Sequence, residues 1–156
     1  MSERTQKSES PVTHEKTPHG TIDFRTHPSD FTIDLRGHSA EDLFRLAAWA
    51  LARVQAPTWP GDDGEEAVVD LLSDGWDDLL VNWIEELIAL SERHRTLWTE
   101  VEFESIGENG VKARVRGKVW PEDGVDGGRV VKSASYHGLE VIPGPALWLG
   151  RVALDL

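Results

Sequence analysis

Beyond Arg95 the chain consists of alternating apolar and polar residues, with no helical stretch long enough to serve as a crossover. "LWTEVEFESI" alternates, "GENG" turns, and "VKARVRGKVW" alternates back, which is the pattern of a β-hairpin. After the loop "PEDGVDGG", the segments "RVVKSASYHGLEV" and "ALWLGRVALDL" make another pair around "IPGP". Parallel neighbours need a crossover of a dozen or more residues, usually a helix, so these strands are expected to pair antiparallel. This half of the chain sets the fold class.

The first half supplies the helices. "TIDFRTH" and "DFTIDLRGH" read as short strands around Pro28. In the second, Phe31, Ile33 and Leu35 share one face, and Asp30, Thr32, Asp34 and Arg36 share the other. Ser39, with Asp42 three residues on, opens a helix carrying Leu43, Phe44, Ala47, Ala48 and Leu51, which stops before Pro57. "TWPGDDGEE" reads as a loop, and "AVVDLL" as a strand or the lead-in to the next helix. From about Asp74 a second helix carries the stripe Leu79, Leu80, Trp83, Ile84, Leu87 and Ile88. Asp74, Asp77 and Asp78 suit its N-terminus, and Arg93, His94 and Arg95 its C-terminus. The expectation is an α+β domain over residues 21–156, with a mainly antiparallel β-sheet and two α-helices. Residues 1–20 are polar and interrupted by Pro11 and Pro18. They bury too little apolar area to offset their ordering entropy, so a disordered tail is expected there.

Composition removes several function classes. The formal net charge of −12 repels phosphate backbones, so direct nucleic-acid binding is not expected. A surface this acidic suits divalent cations or a basic partner, and also plain solubility. Cysteine is absent, which excludes disulfides, thiolate metal sites and thiol nucleophiles. No apolar run approaches the about 20 residues that cross a bilayer, and the N-terminus has no secretory hydrophobic core, so the expected location is cytoplasmic, without a membrane.

Among residues with chemistry, Ser133, Ser135 and His137 alternate on one strand, but no nucleophile elbow accompanies them. The histidines lack helical ligand spacing, which disfavours a zinc hydrolase. Carboxylates remain. Asp30 begins a strand on its polar face, and Asp155 precedes the last residue, Leu156. Oxygen donors of this kind suit calcium or magnesium, although most surface aspartates are simply solvated. His137 shares strand parity with Val131, Leu139 and Val141, as a half-buried histidine would; Lys132 falls on the opposite face with Tyr136 and Glu140. Both Lys132 and His137 reach one site only if a bulge or an edge position intervenes.

Four segments resemble the archease family in the expected order, over roughly residues 25–156. "HPSDFTIDLRGHSAEDLFRLAAWAL" is similar to the family's opening His-Thr-Ala-Asp segment, strand and helix, with His27 and Asp30 in the motif. "LLVNWIEELIAL" resembles its second helix, "VKSASYHGLEV" its Lys-Ala-x-Thr-Tyr-His signature, and "VALDL" its closing strand. Pro28-Ser29 replaces Thr-Ala, and Asn82 replaces an aspartate.

The resemblance implies an archease-like fold and a non-enzymatic activator of an RNA ligase of the tRNA-splicing type. Such a protein promotes ligase guanylylation and repeated turnover in tRNA splicing or RNA repair. It further implies a calcium site, with magnesium or manganese as alternatives, at Asp30, Asp155 and Leu156. Lys132, Tyr136, His137 and His27 would support that site or meet the ligase. Two other readings stand beside it: a small metal-dependent phosphoester hydrolase with His137 as base, and a calcium-binding protein-interaction module.

Overall fold

The computed structural model describes residues 12–59 and 61–156. The described elements run β1 (Val12–Thr17), β2 (Gly20–Thr26), β3 (Asp30–Gly37), α1 (Ala40–Gln55), β4 (Asp63–Leu72), α2 (Trp76–His94), β5 (Thr96–Gly107), β6 (Gly110–Val119), β7 (Ser133–Ile142) and β8 (Trp148–Asp155). All strand pairs are antiparallel, as the alternating second half predicts. They form two sheets, one of five strands in the order β1-β2-β3-β8-β7 and one of three in the order β4-β6-β5.

The helices lie between the sheets. α1 packs on β2, β3 and β8 of the larger sheet and on β5 of the smaller, while α2 packs on β7, β4 and β5. This placement explains why α1 is buried around most of its circumference, from Leu43 and Phe44 through Leu46, Ala47, Ala50 and Leu51 to Val54. Ile22, Ile33, Leu35, Val152 and Leu154 meet it from one sheet, and Val69, Val111, Ala113 and Val115 face the helices from the other. Trp83 sits fully buried among these, and its indole N–H donates to the Phe44 carbonyl at 3.0 Å. A buried donor left without a partner would be costly, so this bond fixes how the helices meet.

Local signals are realised at the helix ends. The Ser39 hydroxyl accepts from the Asp42 N–H at 3.1 Å, closing the expected cap. α2 begins at Trp76, and the Asp78 carboxylate reaches back to the Asp74 N–H. No helix among the described residues is long and apolar enough to cross a membrane.

Three expectations change. The tail expected over residues 1–20 is ordered in its later part: β1 pairs with β2 from Val12 to Thr17, while residues 1–11 lie outside the described residues. β1 is polar, and a side-chain contact with α1 contributes to holding it. Glu15 accepts from the Trp49 indole N–H and from Arg53 Nε, and the Arg53 guanidinium lies over Trp59 at 4.2 Å. The loop expected at "TWPGDDGEE" is shorter, because β4 already starts at Asp63 and takes in "AVVDLL" as a strand. Its pairing with β6 overrides the local turn signals of Gly64 and its acidic neighbours.

The third change is the parity of residues 131–141. Lys132 precedes β7, and between Ser135 and Glu140 the register slips against β8, where Ala153 to Arg151 spans only two steps. Tyr136, His137 and Gly138 bulge outward, with Gly138 at φ +72, a conformation open to glycine without strain. His137 is therefore exposed and not half-buried.

Candidate cation corner

The pairing of β3 with β8 joins residues from far apart in the chain. Asp30 stands directly opposite Asp155, and the ladder continues one step further, where the Leu156 N–H donates to the Ser29 carbonyl at 3.0 Å. The β2–β3 hairpin closes over Pro28-Ser29 with the His27 N–H on the Asp30 carbonyl at 2.9 Å. Proline is accommodated because its missing N–H is not needed at the hairpin tip. Asp30, Ser29 and Leu156 thus meet at one corner.

Strand parity places the two carboxylates together. Ile33 and Leu35 on β3, and Val152 and Leu154 on β8, face the helices. Asp30 and Asp155 take the opposite, outer face, where directly opposed side chains stand about 4.5–5.5 Å apart at Cβ. Two like charges so placed are destabilising unless something compensates them. Both residues are half-buried, and Asp30 Oδ1 is buried with no hydrogen-bond partner among the described residues. Asp155 Oδ2 accepts from the Ser133 hydroxyl at 3.1 Å, and the Asp155 carbonyl accepts from the Lys132 N–H at 2.8 Å.

The donor chemistry fits a hard cation: two carboxylates, one with an orphaned oxygen, beside the main chain of Leu156. Among the described residues no three His, Asp or Glu side chains gather to hold a metal; the main chain of Leu156 and the Ser133 hydroxyl are further oxygens beside the pair.

The other residues singled out divide. Lys132 reaches the corner through its main chain, with its side chain exposed. His27 contributes the hairpin bond. Tyr136 is tied to α2: its hydroxyl donates to Asp78 Oδ1 at 3.1 Å, and that bond, followed by burial and the negative charge beside it, raises the phenol pKa. His137 lies in the bulge, its N–H on Ser135 Oγ at 3.0 Å.

Four residues of the surroundings lay outside the site expected from sequence: Ser133, Asp77, Asp78 and Glu85. The last three project from α2 onto the edge strand β7. Asp77 accepts the Val141 N–H at 2.8 Å, Glu85 accepts the Ala134 N–H, and Asn82 holds Asp78 at 3.3 Å. Carboxylates thus cover N–H groups at an edge that would otherwise invite another strand. Asp78, Asn82 and Glu85 recur at intervals of four and three residues along one face of α2, which is the signal that was available.

Residues 23–156 match the Archease protein family. The protein archease of Methanosarcina mazei is 26% identical over 138 residues, covering 86% of this chain and 94% of its own length. The protein archease of Methanothermobacter thermautotrophicus is 28% identical over 123 residues, covering 77% and 87%. A solution structure of Methanobacterium thermoautotrophicum protein 1598 superposes with a TM-score of 0.63 at 25% identity, covering 85% of this chain and 96% of that one. The match begins within β2, so β1 lies before it. On the strength of a match that takes in both helices and every strand from β3 onward, the chain belongs to the archease family.

Proposed function

We propose that this protein is a non-enzymatic accessory of an RNA ligase of the tRNA-splicing type, acting in the cytoplasm. In this reading it promotes guanylylation of the ligase and its repeated turnover, while the ligase holds the RNA and the nucleotide. Family membership supports the role, and the net charge of −12 agrees with leaving RNA contact to the partner.

The observation that carries the reading is the opposed pair Asp30 and Asp155, with Asp30 Oδ1 buried and unpartnered. Asp30, Asp155 and a main-chain oxygen of Leu156 would hold a calcium, magnesium or manganese ion. Such an ion supplies positive charge that offsets the paired carboxylates and orders the corner the ligase meets. Ser29 and His27 keep Asp30 in the ladder, and Lys132 keeps the Asp155 main chain against β7.

The test adds purified protein to the ligase from the same cell and follows formation of the guanylylated ligase. Wild type stimulates it, while Asp30→Ala and Asp155→Ala lose stimulation and keep their helical circular dichroism. Full stimulation by both variants removes the corner from the mechanism; no stimulation by wild type removes the proposed role.

A further inference from the structure

We propose that Ser133 is a positioning residue of the cation corner, holding Asp155 in the orientation that binds the ion; this rests on the reading of the corner as a cation site. Ser133 on β7, Asp155 on β8 and Asp30 on β3 form one row across three adjacent strands, with Asp155 opposite both neighbours. An ionised carboxylate only accepts, so the Ser133 hydroxyl is the donor in its 3.1 Å bond to Asp155 Oδ2. β7 and β3 flank β8 on opposite sides. With Oδ2 engaged toward β7, the carboxylate is held in the row and its other oxygen would be left for an ion shared with Asp30.

Without that bond, repulsion from Asp30 turns the Asp155 carboxylate away from the row. Ser133 is itself well held. The Lys132 N–H before it is bonded to the Asp155 carbonyl, and the Ala134 N–H after it to Glu85 on α2. The two aspartates thus have different parts. Asp155 is aimed by a protein donor, whereas the orphaned oxygen of Asp30 is left for the ion.

Calcium titration of the full chain by isothermal calorimetry tests this. Removing a hydrogen bond behind a ligating carboxylate weakens binding by about tenfold or more, so Ser133→Ala binds calcium about tenfold more weakly than wild type. Ser133→Thr, which keeps the hydroxyl, restores the affinity. Equal affinity of Ser133→Ala and wild type overturns the role of Ser133 while leaving the cation corner intact. A Ser133→Thr as weak as Ser133→Ala overturns it too, because the hydroxyl is then not the cause. A wild type that binds neither calcium, magnesium nor manganese overturns the cation reading and this inference with it.

Discussion

Asp30 and Asp155 face each other across the β3–β8 ladder, and the neighbouring hydroxyl of Ser133 donates to Asp155 at 3.1 Å. Farther along the same face, Asp34 is paired with Arg151 at 2.6 Å. The contrast sets the corner apart from an ordinary charged strand face. Calcium in hundredfold excess over its dissociation constant should stabilise the protein by about 2.7 kcal/mol. Asp30→Asn should lose that increment and, in chelator, be at least as stable as wild type, since a like-charge pair is gone. Urea unfolding with calcium and with chelator checks both; an undiminished calcium effect in the variant refutes the assignment.

Tyr136 is the only tyrosine in the chain, so its ionisation can be followed alone through the tyrosinate absorbance band. Its hydroxyl donates to Asp78, a bond that exists only for the neutral phenol. The folded pKa is raised, so this contribution is complete below the ordinary value of about 10 and disappears as pH rises through the folded value. The titration midpoint should lie above about 10 and fall in Asp78→Asn. A midpoint unmoved by that substitution would show that the bond is not formed in solution.

Glu15 holds β1 against α1 by accepting from Trp49 and Arg53. Glu15→Ala should cost about 1 kcal/mol, because the contacts are only partly buried. The loss should be local. Amide exchange should quicken from Val12 to Thr17 and stay slow in β3 and β8.

Gly117 crosses the Leu97 carbonyl so closely that an added Cβ would lie 1.6 Å from that oxygen. The obstacle is backbone and cannot swing aside. Gly117→Ala should therefore destabilise by about 3 kcal/mol, read as a lower urea midpoint. A variant within about 0.5 kcal/mol of wild type would mean that the β5–β6 hairpin shifts freely.

The fold was legible where the signal is local. Ser39 capped its helix, the stripe from Leu79 to Ile88 was buried, and the strands after Arg95 paired antiparallel. β1 was not legible, because it is held by its ladder with β2 and by Glu15 on Trp49 and Arg53 of α1, and nothing in the polar run "VTHEKT" points to either. A bulge in this strand enters from sequence only as a condition for Lys132 and His137 to share a site, and its place at Tyr136–Gly138 was not legible. Alternation alone predicts unbroken parity, and only the register against β8 shows where it slips.

By itself, then, the sequence determined the kinds of element, the antiparallel class and the acidic chemistry, since propensity, period and charge act over a few residues. The tertiary structure decided that the strands split into two sheets around the helices and that Tyr136 leans on α2. It also decided that Ser133, and not His137, bonds to Asp155. Contacts of that kind depend on register and packing between distant segments, which no local pattern encodes.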